Sequence, residues 1–336
     1  MAKHRSFKRI LHRVTEELHA TQKIADVTSW KDAWITFLAK VDIQVMNRNG
    51  FCETPGVRKR LLKKHEVMLD YFEKTFGDFI SQYDFDRKIP EDNPELHDRI
   101  WICWWQGLEN APVLVQKCVE SIQNHAGLHK VTIITEENYK QYVDIPVWIE
   151  RKYKQGIITR TNYSDLLRLS LLAEHGGLWL DATFFCRQLD VETCFANSLW
   201  SIKRPDYLHA SVAGGYFAGY SLACRYESRW IFVTIRDFFL QYWKTNDMLI
   251  DYLLVDYMIV LAQRKDFRIA AEFAKIPPNN PKCDDLCIAL GKPFDQQLWE
   301  DMVEDTSLFK LTWKQSFPYM KNGEETFYGK MMNNTL

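Results

Sequence analysis

Apolar residues along the first 80 positions recur at the 3.6-residue period of an amphipathic helix, in three successive stripes. The first holds Phe7, Ile10, Leu11, Val14 and Leu18; the second Trp30, Trp34, Phe37, Leu38 and Val41; the third Val57, Leu61, Met68, Phe72 and Phe76. They predict a helical N-terminal layer. From Asp84 to Asp98 the pattern lapses, because DFDRKIPEDNPELHD is polar, carries Pro90 and Pro94 and has no sustained period. A boundary is expected there, between a helical region over 1–97 and a second domain over 98–336. Beyond it Ile100 to Trp105 reads as a β-rich apolar run. Pro112 to Asn124 carries a helical stripe (Val115, Cys118, Val119, Ile122), and Val131 to Thr135 is a second short strand. Strand, helix, strand units of this kind build parallel sheets by right-handed crossover, and ligands bind beyond the carboxyl ends of the strands. The first such end is Trp104-Trp105-Gln106-Gly107. Trp230 to Trp243 and Tyr252 to Ala262 contain Arg236, Asp237 and Asp256, which disfavour a lipid environment, so they read as buried helices. No internal repeat is visible, and the C-terminal third mixes helical stripes with turns such as Pro277 to Pro281.

Charge narrows the function classes. The 336 residues carry 43 Lys+Arg against 44 Asp+Glu, a net charge of −1, which argues against a nucleic-acid partner. Basic residues do cluster locally, as Lys3, Arg5, Lys8, Arg9 and Arg13 and again as Arg58, Lys59, Arg60, Lys63 and Lys64. A solvated helix face explains both, and contact with anionic lipid headgroups is the alternative. With 14 Gly and 11 Pro the chain should be ordered almost throughout. The eight cysteines form no C-x-x-C pair, and no apolar run reaches the roughly 18 residues of a membrane span. A reducing cytoplasm is the simplest expectation, and peripheral contact with the inner membrane or with assembly proteins is the alternative to a wholly soluble placement. His125 and His129 stand at a zinc-capable spacing, but Gly127 lies between them and no third ligand accompanies them, so they read as surface residues.

The most informative stretch is TNYSDLLRLSLLAEHGGLWLDATFF, residues 161 to 185. Asn162 or Ser164 can cap a helix, Leu166, Leu167, Leu171 and Leu172 supply its buried side, and Gly176-Gly177 stop it. Asp165 and Arg168 stand three apart on one face, where a carboxylate and a guanidinium can converge on a hydroxyl-rich, anionic ligand; a surface ion pair is the plainer reading. LWLDATFF then alternates as a strand with Asp181 and Thr183 on the same side. A carboxylate at such a strand end is costly to bury unpaired, so Asp181 should meet solvent, a cation or a ligand hydroxyl. Mg²⁺ or Mn²⁺ is the attractive cation, since both use one or two carboxylates together with substrate phosphates.

Ser164-Asp165-Leu166-Leu167-Arg168, with Gly176-Gly177-Leu178-Trp179-Leu180-Asp181-Ala182-Thr183, resembles bacterial capsular polysaccharide synthesis proteins, relatives of the Och1-like mannosyltransferases and of the glucosylating clostridial toxins. The resemblance extends over about residues 98 to 262, from Ile100-Trp101 and Trp104-Trp105-Gln106-Gly107 to Tyr242-Trp243 and Asp251 to Asp256, and to Phe309-Lys310-Leu311-Thr312-Trp313-Lys314. It implies an α/β fold with a Rossmann-like GT-A core, here with a helical N-terminal layer and helical C-terminal additions. It also implies a retaining glycosyltransferase that moves a hexose from a nucleotide-diphosphate sugar, UDP-sugars favoured, to a saccharide or polysaccharide acceptor with a divalent cation at an Asp-x-Asp motif. By match, Asp181 is the first Asp, near ribose and metal, and Asp165 and Arg168 hold the donor sugar and its phosphates. Trp101 matches an aromatic against the base. Thr183 stands where the second Asp is expected, which weakens one metal ligand.

Chemistry sets similar demands. Breaking a sugar to diphosphate bond leaves negative charge on the phosphate and oxocarbenium character on the sugar, so a cation is needed near one and a carboxylate or dipole near the other. Trp101, Trp104 and Trp105 offer flat faces for a base or pyranose, with Gln106 beside them. Lys314 can reach a phosphate or merely flank a strand. Of Asp247, Asp251 and Asp256, Asp256 is the choice for a second site carboxylate, because the family-like block ends there; a salt bridge between helices is its plainer explanation. A carbohydrate- or nucleotide-sugar-binding module without turnover is the alternative function, motivated by Thr183. A glycoside hydrolase would need a carboxylate pair that nothing here locates.

Overall fold

The computed structural model describes residues 7–48, 50, 52–89, 91 and 93–336. The chain opens with helices α1 (Phe7–Val27), α2 (Trp30–Met46), α3 (Pro55–Thr75) and α4 (Gly77–Ser81). Then follow β1 (Ile100–Cys103), α5 (Val113–Asn124), β2 (Val131–Ile134), α6 (Val147–Lys154), α7 (Arg160–His175) and β3 (Gly177–Leu180). Next come β4 (Phe184–Cys186), α8 (Glu192–Phe195), β5 (Leu199–Ser201), β6 (Ser221–Cys224), α9 (Trp230–Thr245) and α10 (Leu254–Lys265). The chain closes with α11 (Phe267–Lys275), α12 (Asp285–Ala289), α13 (Gln296–Val303), β7 (Leu308–Lys310), β8 (Met320–Lys321), β9 (Glu324–Glu325) and α14 (Phe327–Met332).

A five-stranded sheet of order β2-β1-β3-β6-β5 forms the centre. Strands β2, β1 and β3 are mutually parallel, while β6 runs antiparallel to both β3 and β5. Strands covered on both faces read as continuous apolar runs, and IWIC and GLWL do so. Ile100, Ile102, Leu178 and Leu180 join Val115, Val119 and Ile122 of α5 in one core, whereas Trp101 and Trp179 join the leucines of α7 and the aromatics of α9 in another. The β1 to β2 connection therefore runs to one side of β1, and the β2 to β3 connection crosses back past β1 to its other side. The crevice between the carboxyl ends of β1 and β3 is a topological switch point.

Helix α7 is capped by Thr159, whose Oγ1 accepts from Asn162 N at 3.3 Å, rather than by Asn162 or Ser164. It stops at Gly176, and Gly177 is required next: its φ is +97°, and a Cβ there would lie 2.4 Å from the Arg99 carbonyl. The strand that follows is shorter than LWLDATFF suggests. It ends at Leu180, the chain turns with Phe184 N donating to Asp181 O at 3.1 Å, and β4 pairs instead with β7 in a separate two-stranded sheet.

The N-terminal helices share the larger core with the rest of the chain: Phe72 packs edge-on to Tyr242, and Val67, Met68 and Phe76 lie in the same cluster as Leu254 and Tyr257. The third stripe is buried from Leu61 to Phe76, with Val57 half-buried at its start, but the second faces outward. Trp30 is 63% exposed and Trp34 53%, while Ala33, Thr36, Ala39 and Met46 face inward. Small residues let α2 approach its neighbours closely, which turns its largest side chains to solvent. Val14 and Leu18 are also exposed. Of the first basic run, Lys3 and Arg5 lie outside the described residues, as does Pro90, and so do the side chains of Phe7, Lys8, Arg9, Ile10, Leu11 and Arg13. In the second basic run Arg60 pairs with Asp42 at 2.6 Å, and Lys64 is fully buried. Among the described residues no helix is long and apolar enough to cross a membrane.

Candidate functional site

The first turns of α7 lie at the switch-point crevice, because α7 runs back along the sheet and delivers its C-terminus to the start of β3. Asp165 and Arg168 are both buried there, and Asp181 follows immediately after β3. Arg168 Nη2 stands 3.4 Å from Asp165 Oδ1 and 3.4 Å from Asp181 Oδ1, while Nη1 donates to the Gly219 carbonyl. The guanidinium also lies over the Trp179 ring, at 5.1 Å from its centroid. Its Nε is buried without a protein partner among the described residues. A buried donor left unpaired is expensive and points to a ligand or ordered solvent.

Asp181 is the most connected group. Its Oδ1 also accepts from Trp179 Nε1 at 3.1 Å, and its Oδ2 accepts from Lys310 Nζ at 2.6 Å. Burial opposes its ionisation, yet Lys310 and then Arg168 outweigh burial and hold its pKa below the usual carboxylate value. Its side chain is 31% exposed, so the cluster opens to solvent here. Asp165 behaves oppositely. Burial pushes its pKa up to about 6 despite Arg168, with Asp181 adding repulsion. Burial likewise carries Asp256, in the first turn of α10, up to about 7, with a further push from Asp165 and an opposing pull from Arg168. Ser211 Oγ donates to Asp256 Oδ2 at 3.4 Å. Gly219 makes the close approach possible, since a Cβ there would sit 2.7 Å from Asp256 Oδ1 and 3.4 Å from Arg168 Nη1. Tyr252 stands exposed at this end of the fold, just before α10.

Asp165, Arg168, Asp181 and Asp256 thus come together from three separate stretches of chain. The alternatives to Asp256 are engaged elsewhere: Asp251 pairs with Lys64 at 2.9 Å in the interior, and Asp247 pairs with Lys152 at the surface. Trp101 is a correction. It is fully buried and its indole donates to Gly176 O at 2.9 Å, so no face is open to a base; alternation on β1 points it into the helix-covered core. Trp105 is buried among Tyr139 and Tyr163 for the same reason that strand ends pack. Trp104 is half-buried at the carboxyl end of β1, meets Trp313 edge-on at 5.8 Å, and has an indole nitrogen with no partner among the described residues. Gln106 and Lys314 are exposed. His125 and His129 bond backbone carbonyls of Ser121 and Asp98.

Lys310 is a side chain of this cluster that spacing did not single out. It lies within the Phe309 to Lys314 run, four residues before Lys314, and its signal is a lone lysine in an otherwise apolar strand. The motif also does not fit a divalent ion held by protein ligands. Both Asp181 oxygens face cations, and Thr183 offers only a hydroxyl in the second position. A cavity of about 500 Å³ lined by Lys203, Arg204, Tyr207 and Pro278 lies apart from these carboxylates, and the chemistry of the crevice outweighs its size.

A family model described as capsular polysaccharide synthesis protein matches residues 48–331, which takes in α3, the sheet and every side chain of this cluster. No curated protein matches the chain, and no solved structure does.

Proposed function

The chain belongs to the capsular polysaccharide synthesis protein family, and on that premise we propose that it is a glycosyltransferase of the GT-A kind that moves a hexose from a nucleotide-diphosphate sugar, a UDP-sugar foremost, to a growing surface polysaccharide. Kinship with the mannosyltransferases and glucosylating toxins, retention of anomeric configuration and a cytoplasmic place of work belong to the same reading. The observation that carries it is the convergence of Arg168 on Asp165 and Asp181 at the switch point, with a buried unpaired nitrogen on the same guanidinium. The mixed sheet, parallel at β2, β1 and β3, supports a nucleotide over the strand ends.

In this reading the bond between the anomeric carbon and the β-phosphate oxygen breaks, and its electron pair leaves on the phosphate. Arg168 faces that charge; its side chain is only 8% exposed, and hydrogen bonds from its guanidinium to an anionic leaving group are charge-assisted, the strong kind. Asp165 binds sugar hydroxyls and offsets positive character at the anomeric carbon. Asp256, poised near neutrality, accepts the proton of the acceptor hydroxyl as the new glycosidic bond forms. Trp104 and Tyr252 offer rings at the mouth for base or sugar.

Radiolabelled sugar transfer, with donor hydrolysis as a second readout, tests this. Arg168→Ala should lower kcat/KM by about 100-fold or more, as expected for losing a charge-assisted contact to the leaving group. Binding of nucleotide sugars without turnover on any acceptor would favour a carbohydrate-assembly binding module instead, a reading that Thr183 in the second acidic position supports.

A further inference from the structure

We propose that Lys310, together with Arg168, supplies the positive charge on the donor pyrophosphate that a divalent cation would otherwise supply, so that transfer proceeds without added metal. This rests on the transferase reading and deepens it.

The position of Lys310 is set from both sides of its strand. Its backbone N donates to Cys283 O at 2.8 Å, it lies opposite Phe184 in the β4–β7 pair, and the next residue ties down the motif turn, Leu311 N donating to Thr183 O at 2.9 Å. The residue that replaces the second acid is therefore stapled to the strand that delivers the lysine. The Lys310 ammonium lies 5.1 Å from the ring centroids of both Phe184 and Tyr220, so aromatic walls direct it toward Asp181 Oδ2, 2.6 Å away. A divalent ion bonded to that oxygen would meet this ammonium at like-charge contact distance, with the Arg168 guanidinium on the other oxygen. A pyrophosphate would instead compete with the Asp181 carboxylate for the same pair of cations, attracted by both where a metal ion would be repelled by both. Its arrival exchanges one anionic partner of Lys310 for another, and the 21% exposure of the lysine leaves a face for it. In the transfer step the carbon–oxygen bond to the β-phosphate breaks, the electron pair stays on that oxygen facing Lys310 and Arg168, and the acceptor proton leaves to Asp256. No metal or redox partner enters the balance.

The test uses the full chain and calorimetric binding of UDP, GDP, ADP and CDP, each with EDTA and each with Mn²⁺, beside sugar transfer under the same conditions. Wild type should bind one nucleoside diphosphate, and transfer its sugar, within about twofold equally in EDTA and in Mn²⁺. Lys310→Met should weaken that diphosphate by about 10-fold or more, Lys310→Arg should keep most of the affinity, and the nucleoside alone should bind both variants as it binds wild type. A lysine that merely braces the turn would not separate diphosphate from nucleoside in this way. Wild-type transfer that EDTA abolishes and Mn²⁺ restores would overturn the proposal while leaving the transferase standing, and needs no variant to fold. If wild type binds no nucleoside diphosphate under either condition, the transferase reading falls with it.

Discussion

Two lysine–aspartate pairs in this molecule are nearly identical in chemistry and opposite in setting. Lys64 and Asp251 meet at 2.9 Å with side chains 1% and 3% exposed, between α3 and the start of α10, whereas Lys310 and Asp181 meet at 2.6 Å with 21% and 31% exposed, at the mouth of the switch-point crevice. The sealed pair has no room for a ligand. Burial lowers the Lys64 pKa and opposes ionisation of Asp251, but Lys64 and then Lys40 hold Asp251 down at about 2, so the charged pair is the native form. The open pair has a third party, Arg168, and a solvent face. Ion pairs closed on all sides hold helices together; the one left ajar beside an unpaired guanidinium nitrogen is where we propose that a phosphate enters.

The contrast breaks most visibly under deletion of one partner. Asp251→Ala should cost about 3–5 kcal/mol in chemical denaturation, because it strands a buried ammonium. Asp181→Ala should cost about 1 kcal/mol or less, since solvent screens what remains, while abolishing transfer. Equal losses would mean that both pairs are structural. Acid sharpens the same point. The folded pKa of Asp251 is depressed, so its contribution is present above the unfolded value near 4 and is lost as pH falls through about 2.

Asp256 provides the opposite sign and a middling effect. Its folded pKa is raised, so its contribution to stability is full below about 4 and is lost as pH rises through about 7. Asp256→Asn should therefore stabilise the fold by between about 1 and 4 kcal/mol at pH 8 and by almost nothing at pH 4, in thermal melts run at both values. It should also flatten the pH profile of transfer near neutrality. A melt difference independent of pH would show that Asp256 is not held near neutrality by its buried surroundings. Smallest of all, Trp34→Gln on the outward face of α2 should shift stability by no more than about 0.5 kcal/mol, because the ring loses little contact with the core.

Much of the fold was legible beforehand, for identifiable reasons. The helices of the N-terminal layer, β1, α5, β2 and the glycine stop of α7 all announce themselves in local patterns of about four to twenty residues. Asp165, Arg168 and Asp181 were readable for the same reason: one helix face and one strand end, joined by two glycines, keep them within a single stretch of sequence. Legibility failed where a side chain's setting depended on elements far away. The Trp30 and Trp34 stripe looked like a core face, and only the fit of Ala33 and Ala39 against neighbouring helices turned it outward. Trp101 looked like a platform for a base until α7 and α9 closed over it.

Local sequence determined which segments coil, which extend and where the chain must turn, because backbone propensity and apolar spacing act over a few residues. Tertiary structure alone decided that Lys310, 129 positions from Asp181, is a cation on its carboxylate, that Gly219 admits Asp256 beside Arg168, and that Lys64 is sealed while Lys63 beside it is exposed. The reason is physical: charge and desolvation depend on distance through space, and the chain that brings those groups together is too long for any local pattern to record.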